Sequence, residues 1–175
     1  MAAMSTGGID HLDMIMLDYP GPDSDSIVGQ WRAFEDFKKE GFVDDLAVSN
    51  FNANQLDVVL KMAEVKPCLN QLPYSLAYHP KGVLDYNRER GIPVQSWSPL
   101  SRVLTNPNYR VVLSSIGAKY GKSAAQVALR WIVQSGSGGG FSTQTKKRSH
   151  FEEDLKVFDF ELTTEDMNQL TQMTA

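Results

Sequence analysis

The chain has 175 residues, 42% of them hydrophobic and 22% charged, with a formal charge of -4. That is enough mass for a core, and the mild acidity gives no sign of a nucleic-acid or membrane surface. One cysteine, Cys68, excludes an internal disulfide framework and points to a reducing, cytoplasmic setting. No apolar run is long enough to span a bilayer, and "MAAMSTGGIDH" lacks the basic and apolar regions of a signal peptide.

The first element is "DHLDMIMLDYPGP" (10–22). It reads as an apolar strand that ends abruptly at Asp18, Tyr19 and Pro20. A carboxylate at the mouth of such a strand is costly unless it finds a partner, so what Asp18 faces is the first question. In "DSDSIVGQWRAFEDFKKEGF", Ile27, Trp31 and Phe34 recur at helical spacing; Asp25 or Ser26 suits the cap and Gly41 the stop. "LAVSN" (46–50) reads as a strand, followed by a helix from about Asn52. "PCLNQLPY" is a strand, "KGVLDYNRERG" a helix ending at Gly91, and "IPVQSWSP" another strand. Two helical stretches follow, "NYRVVLSSIGAKYG" and "SAAQVALRWIVQSG". "SGSGGG" (135–140) reads as a loop or poor strand, "FSTQ" as a weak strand, and "KRSHFEEDLKVF" as a helix. The last helix begins after Thr163, with Asp166 as its capping-box partner.

Strands and helices thus alternate, which implies parallel βαβ units. Polar or aromatic residues cluster where the strands end: Asp18-Tyr19, Ser49-Asn50, Asn70-Gln71, Trp97-Ser98 and Gln144. In parallel α/β folds that end is where ligands bind. Alternation alone leaves both a doubly wound sheet and a barrel open.

Several motifs appear together: "SNF" (49–51), "NQLPY" (70–74), "WSPL" (97–100), "AAQVALRW" (124–131) and "HFEEDLKVFDFELTTEDM" (150–167). In order and spacing they resemble the aldo-keto reductase family. The resemblance implies part of a (β/α)8 barrel, strands four to eight with their helices, in a single domain over 1–175. It further implies reduction of a small carbonyl substrate with NADPH. In the family a tyrosine donates the proton, helped by a lysine, an aspartate and a histidine. The first three come from barrel units that this chain does not match. The histidine belongs to a pattern like Leu-His-Trp-Pro, where this chain has Leu17-Asp18-Tyr19-Pro20.

Asp18 therefore stands in the histidine's place. An ionised aspartate only accepts hydrogen bonds and would repel a forming alkoxide, whereas a protonated one could donate. The plainer reading is that Asp18 caps a loop or pairs with a lysine. By the same resemblance Ser49, Asn50 and Gln71 hold the nicotinamide carboxamide and Trp97 stacks on its ring. Ser98 and Leu100 join the cofactor set. At the adenosine end the family has Lys-Ser, an arginine and Glu-Asn; here those places hold Gln144, Thr145, His150, Glu153 and Asp154. The 2′-phosphate ligands are thus replaced, leaving NADP and NAD both open. Lys146, Lys147 and Arg148 lie next door, where three cations in a first helical turn would favour an anion.

Other residues read as structural. His11, His79 and His150 have no metal-ligand spacing, Cys68 reads as core within its strand, and Trp31 and Trp131 sit on apolar stripes. Three functional readings remain: a reductase completed by further barrel units, a non-catalytic nucleotide-binding relative, and a non-functional fragment. Five strands of a barrel would leave two open edges suited to self-association. Inward residues such as Leu17, Val48 and Val94 are expected to lack partners.

Overall fold

The computed structural model describes residues 10–173. The leading stretch read above for signal-peptide features lies almost wholly outside them. Five strands form one sheet: β1 (Leu12–Leu17), β2 (Val43–Ser49), β3 (Asn70–Pro73), β4 (Val94–Trp97) and β5 (Gly138–Ser142). Every adjacent pair is parallel. Their spatial order is β1-β2-β3-β4-β5, the order in the chain. A doubly wound sheet reverses direction at a switch point. This one never does, so it is the arc of a partial (β/α)8 barrel, with β1 and β5 paired on one side only among the described residues.

The helices are α1 (Ser24–Lys39), α2 (Ala53–Met62), α3 (Val83–Glu89), α4 (Pro107–Tyr120), α5 (Ala124–Gln134), α6 (Arg148–Leu155) and α7 (Thr164–Thr171), with a 3-10 turn at Lys156–Asp159. Local chemistry explains most of their ends. Asn52 and Gln55 form a reciprocal capping box on α2, and Ser123 and Gln126 form one on α5. Past the end of α1, Gly41 takes φ +80°, a conformation costly for any residue with a Cβ.

Several expectations need correction. Asp23, not Asp25 or Ser26, caps α1, its carboxylate accepting from the Ser26 amide at 2.8 Å. The last strand begins at Gly138, inside the glycine run, and ends at Ser142. Cys68 precedes β3 rather than lying in it, and Asn70 and Gln71 open that strand rather than close it. Thr163 does cap α7, but Asp166 does not complete a box. Its carboxylate takes Lys119 Nζ at 2.7 Å and the Tyr120 hydroxyl at 2.6 Å. Burial would raise the Asp166 carboxyl, but the hydrogen bonds from Lys119 and Tyr120 outweigh it and hold it below the usual range.

The expected wet interior residues are also corrected. Leu17, Val48 and Val94 are 7%, 0% and 1% exposed. Leu17 and Val48 share an apolar cluster with Ile27, Trp31, Leu56 and Val59, so they face the helix layer. Strand side chains alternate. The concave face therefore carries the alternate positions, among them Met14, Asp45, Gln71, Gln95 and Trp97. A second cluster joins α4, α5 and α7, where Trp131 stacks on Tyr74 at 5.5 Å. Trp31 and Trp131 are thus packing residues.

Candidate cofactor site

The C-terminal ends of β1, β2 and β4 converge on one hydrogen-bonded group. Asn50, immediately after β2, is its hub. Its Nδ2 donates to Ser49 Oγ at 3.0 Å, to the Asp18 carbonyl at 3.2 Å and, more weakly, to Asp18 Oδ1 at 3.4 Å. Its Oδ1 accepts from Trp97 Nε1 at 3.1 Å. The indole is thereby fixed at the end of β4, half-buried and edge-held, with ring surface left for a ligand. Asp18 itself is exposed. Its partner is a neutral amide, not a lysine, and solvent carries the cost of its charge. Ser49 is buried, so its hydroxyl anchors Asn50 from beneath.

Backbone conformation marks the same place. Asn50 has φ +63° and Ser98, immediately after Trp97, has φ +52°. Left-handed backbone in residues other than glycine is sparse, and it concentrates where function or tight turning demands it. Both residues turn the chain sharply off the end of a strand.

Gln71 sits one layer deeper. Its amide Nε2 donates to Gln95 Oε1 at 2.5 Å, and its backbone carbonyl accepts from the Asn50 amide at 2.9 Å. Gln95 was missed by sequence reasoning. Only the β3–β4 register, Gln71 opposite Gln95, brings the two amides together.

From Trp97 a trough runs along the strand ends. Its first cavity, of about 350 Å³, is lined by Trp97, Ser98, Leu100, Ser142, Thr143 and Gln144 among others. A second, of about 400 Å³, shares Leu100, Thr143 and Gln144 with it and continues to Thr145, His150, Glu153 and Asp154. Thr145 Oγ1 and His150 Nδ1 are 3.1 Å apart. Asp154 Oδ2 accepts from Thr143 Oγ1 at 2.9 Å, and Glu153 Oε2 accepts from Ser123 Oγ at 3.3 Å. The structure thus gathers Ser98, Leu100, Gln144, Thr145, His150, Glu153 and Asp154 along one trough leading away from the Asn50 hub.

The basic run is arranged differently from expectation. Lys147 is the cap residue of α6 and Lys146 precedes it, leaving Arg148 in the first turn. Arg148 bonds Glu152 at 2.9 Å and neither cavity is lined by any of the three. Cys68 is not an activated nucleophile: burial and the Asp45 carboxylate push its thiol up.

The sequence pattern of the aldo/keto reductase family matches residues 3–175. The chain belongs to the aldo/keto reductase family. A glyoxal reductase of Bacillus subtilis is 37% identical over 166 residues, covering 93% of this chain and 56% of that protein. An aldo/keto reductase of Brucella melitensis superposes with TM-score 0.86 at 30% identity, covering 98% of this chain and 64% of that one. An aldo-keto reductase solved in complex with NADPH superposes with TM-score 0.87 at 28% identity, covering 99% and 57%. The chain thus spans about half the length of the curated relatives it matches. Among the described residues no helix is long and apolar enough to cross a membrane.

Proposed function

We propose that this chain carries the cofactor-holding part of an aldo-keto reductase that reduces a small carbonyl compound with NADPH or NADH. The observation that carries the reading is the Trp97–Asn50–Asp18 linkage at the head of two cavities, of about 350 and 400 Å³, that share Leu100, Thr143 and Gln144. A reduced nicotinamide, when bound, supplies the hydride. The residues of this chain position it. The Trp97 ring offers a flat apolar surface for stacking, and Asn50 holds that ring and presents amide chemistry suited to a carboxamide. The second cavity receives the adenosine end.

Proton delivery is the part this chain does not provide. An ionised Asp18 accepts hydrogen bonds only, so it offers nothing to a developing oxyanion. General acid catalysis and oxyanion stabilisation are each worth orders of magnitude. The chain by itself should therefore bind a nicotinamide nucleotide without reducing simple aldehydes. A non-catalytic nucleotide-binding role shares these features and is separated from the first by turnover once complementary barrel units are supplied.

Trp31 and Trp131 are 0% and 1% exposed, leaving Trp97 as the tryptophan a ligand can touch. Titration with NADPH and with NADH should quench tryptophan fluorescence, and Trp97→Ala should remove most of the quenching and weaken binding. Equal quenching in both proteins would count against the stacking role. Turnover of a nitrobenzaldehyde by the chain alone, abolished in Asp18→Asn, would overturn the assignment of an incomplete site.

A further inference from the structure

Among the described residues, the adenosine-side cavity is lined by one lysine or arginine, and it comes from an element that no sequence motif singled out. Arg110 lies in the first turns of α4 and lines the cavity opposite in charge to Glu153 and Asp154 of α6. Resting on the cofactor reading above, we propose that Arg110 is the residue that recognises a 2′-phosphate on the adenosine ribose, and so decides whether this chain accepts a 2′-phosphorylated nucleotide.

The neighbouring charges narrow the choice. Lys146, Lys147 and Arg148 do not line the cavity, and Arg148 is committed to Glu152. The two carboxylates are held by hydroxyls of their own surroundings, Glu153 by Ser123 and Asp154 by Thr143. Neither forms an ion pair with Arg110 among the described residues. Arg110 is exposed, and its side chain makes no ion pair among the described residues. The cavity lining thus carries two unlike chemistries. Carboxylate oxygens suit the exocyclic amine of adenine, a donor. A guanidinium matches phosphate oxygens in pairs. Leu104, Ala124 and Ala125 add apolar wall to the same cavity. Without Arg110 a dianionic phosphate would meet two carboxylates and no counter-charge. A 2′-hydroxyl has no such need, and a nearby arginine is the usual means of accommodating the phosphate.

The test is calorimetric binding of 2′,5′-ADP and of 5′-AMP to the whole chain and to Arg110→Ala and Arg110→Lys. The wild type should bind 2′,5′-ADP about tenfold or more tighter than 5′-AMP, the size expected for charge-assisted hydrogen bonds. Arg110→Ala should abolish that preference while leaving 5′-AMP affinity unchanged, and Arg110→Lys should retain part of it. Unchanged 5′-AMP binding reports an intact cavity. A preference that survives Arg110→Ala, or an equal loss for both nucleotides, overturns the role of Arg110. Wild-type binding of 5′-AMP with no preference overturns it too but leaves the cofactor reading standing. Binding of neither nucleotide sinks both.

Discussion

Exchanging Asn50 for aspartate tests the hub with almost no change of shape. Aspartate tolerates the left-handed backbone that Asn50 adopts, so strain does not enter. The new carboxylate still accepts from Trp97 Nε1, so the indole stays anchored. The Asp18 side fails. The Nδ2 donor is lost, and two carboxylates now face each other at the 3.4 Å that separated amide and carboxylate. Two unit charges at that spacing repel by about 1 kcal/mol in the dielectric of water and about 5 kcal/mol at an effective value of 20. The pair is exposed, so the lower end applies. The lost bond to the Asp18 carbonyl adds about 1 kcal/mol, while the Ser49 hydroxyl can rotate and donate to the new acceptor. Asn50→Asp should therefore destabilise the end of β1 by about 2–3 kcal/mol at neutral pH. Asp18→Asn in the same chain restores an amide facing a carboxylate with the partners exchanged, and should recover most of the loss. Urea denaturation of the two single variants, the double variant and wild type measures this. An Asn50→Asp chain as stable as wild type, or no recovery in the double variant, would refute the hub.

Asp166→Asn should lower stability by about 1–2 kcal/mol at neutral pH, because a buried acceptor of two hydrogen bonds loses its charge. The folded-state carboxyl lies below its unfolded value, so its contribution is full above the ordinary carboxylate range and fades as pH falls through the folded value. The gap between variant and wild type should close in strong acid, as thermal melts at several pH values will show; a gap independent of pH would contradict this. Gly139→Ala should loosen the β4–β5 pairing by about 1–3 kcal/mol. An added Cβ would lie 2.7 Å from the Val94 carbonyl carbon and oxygen and 2.8 Å from the Gln95 nitrogen, all backbone. Faster amide exchange in β5 is the readout, and unchanged exchange would deny the close approach. The open edges of β1 and β5 should drive concentration-dependent self-association, seen by light scattering behind size-exclusion chromatography. A monomer that stays well protected at all concentrations would show that edges alone do not suffice.

The order of elements was legible in the sequence because its causes are local. Caps such as Asn52 with Gln55 and Ser123 with Gln126, and the stop at Gly41, act over a few residues, and apolar periodicity does the rest. The strand-end residues Ser49, Asn50 and Trp97 were legible through an ordered set of motifs. What escaped depends on register and on which way a strand faces. Leu17, Val48 and Val94 were read as facing inward and wet, yet shifting the assumed face by one residue sends every side chain of a strand to the opposite side; all three are buried, Leu17 and Val48 against helix residues. The choice between barrel arc and doubly wound sheet needed the strand order. Asp166 finds Lys119 and Tyr120 more than forty residues away, Gln71 meets Gln95 across a pairing, and Arg110 reaches the cavity lined by Glu153 and Asp154 from a helix without a motif. Each of these joins groups that are remote in the chain. Local propensity carries no information about such pairs, and only the packing of helices on a curved parallel sheet brings them together.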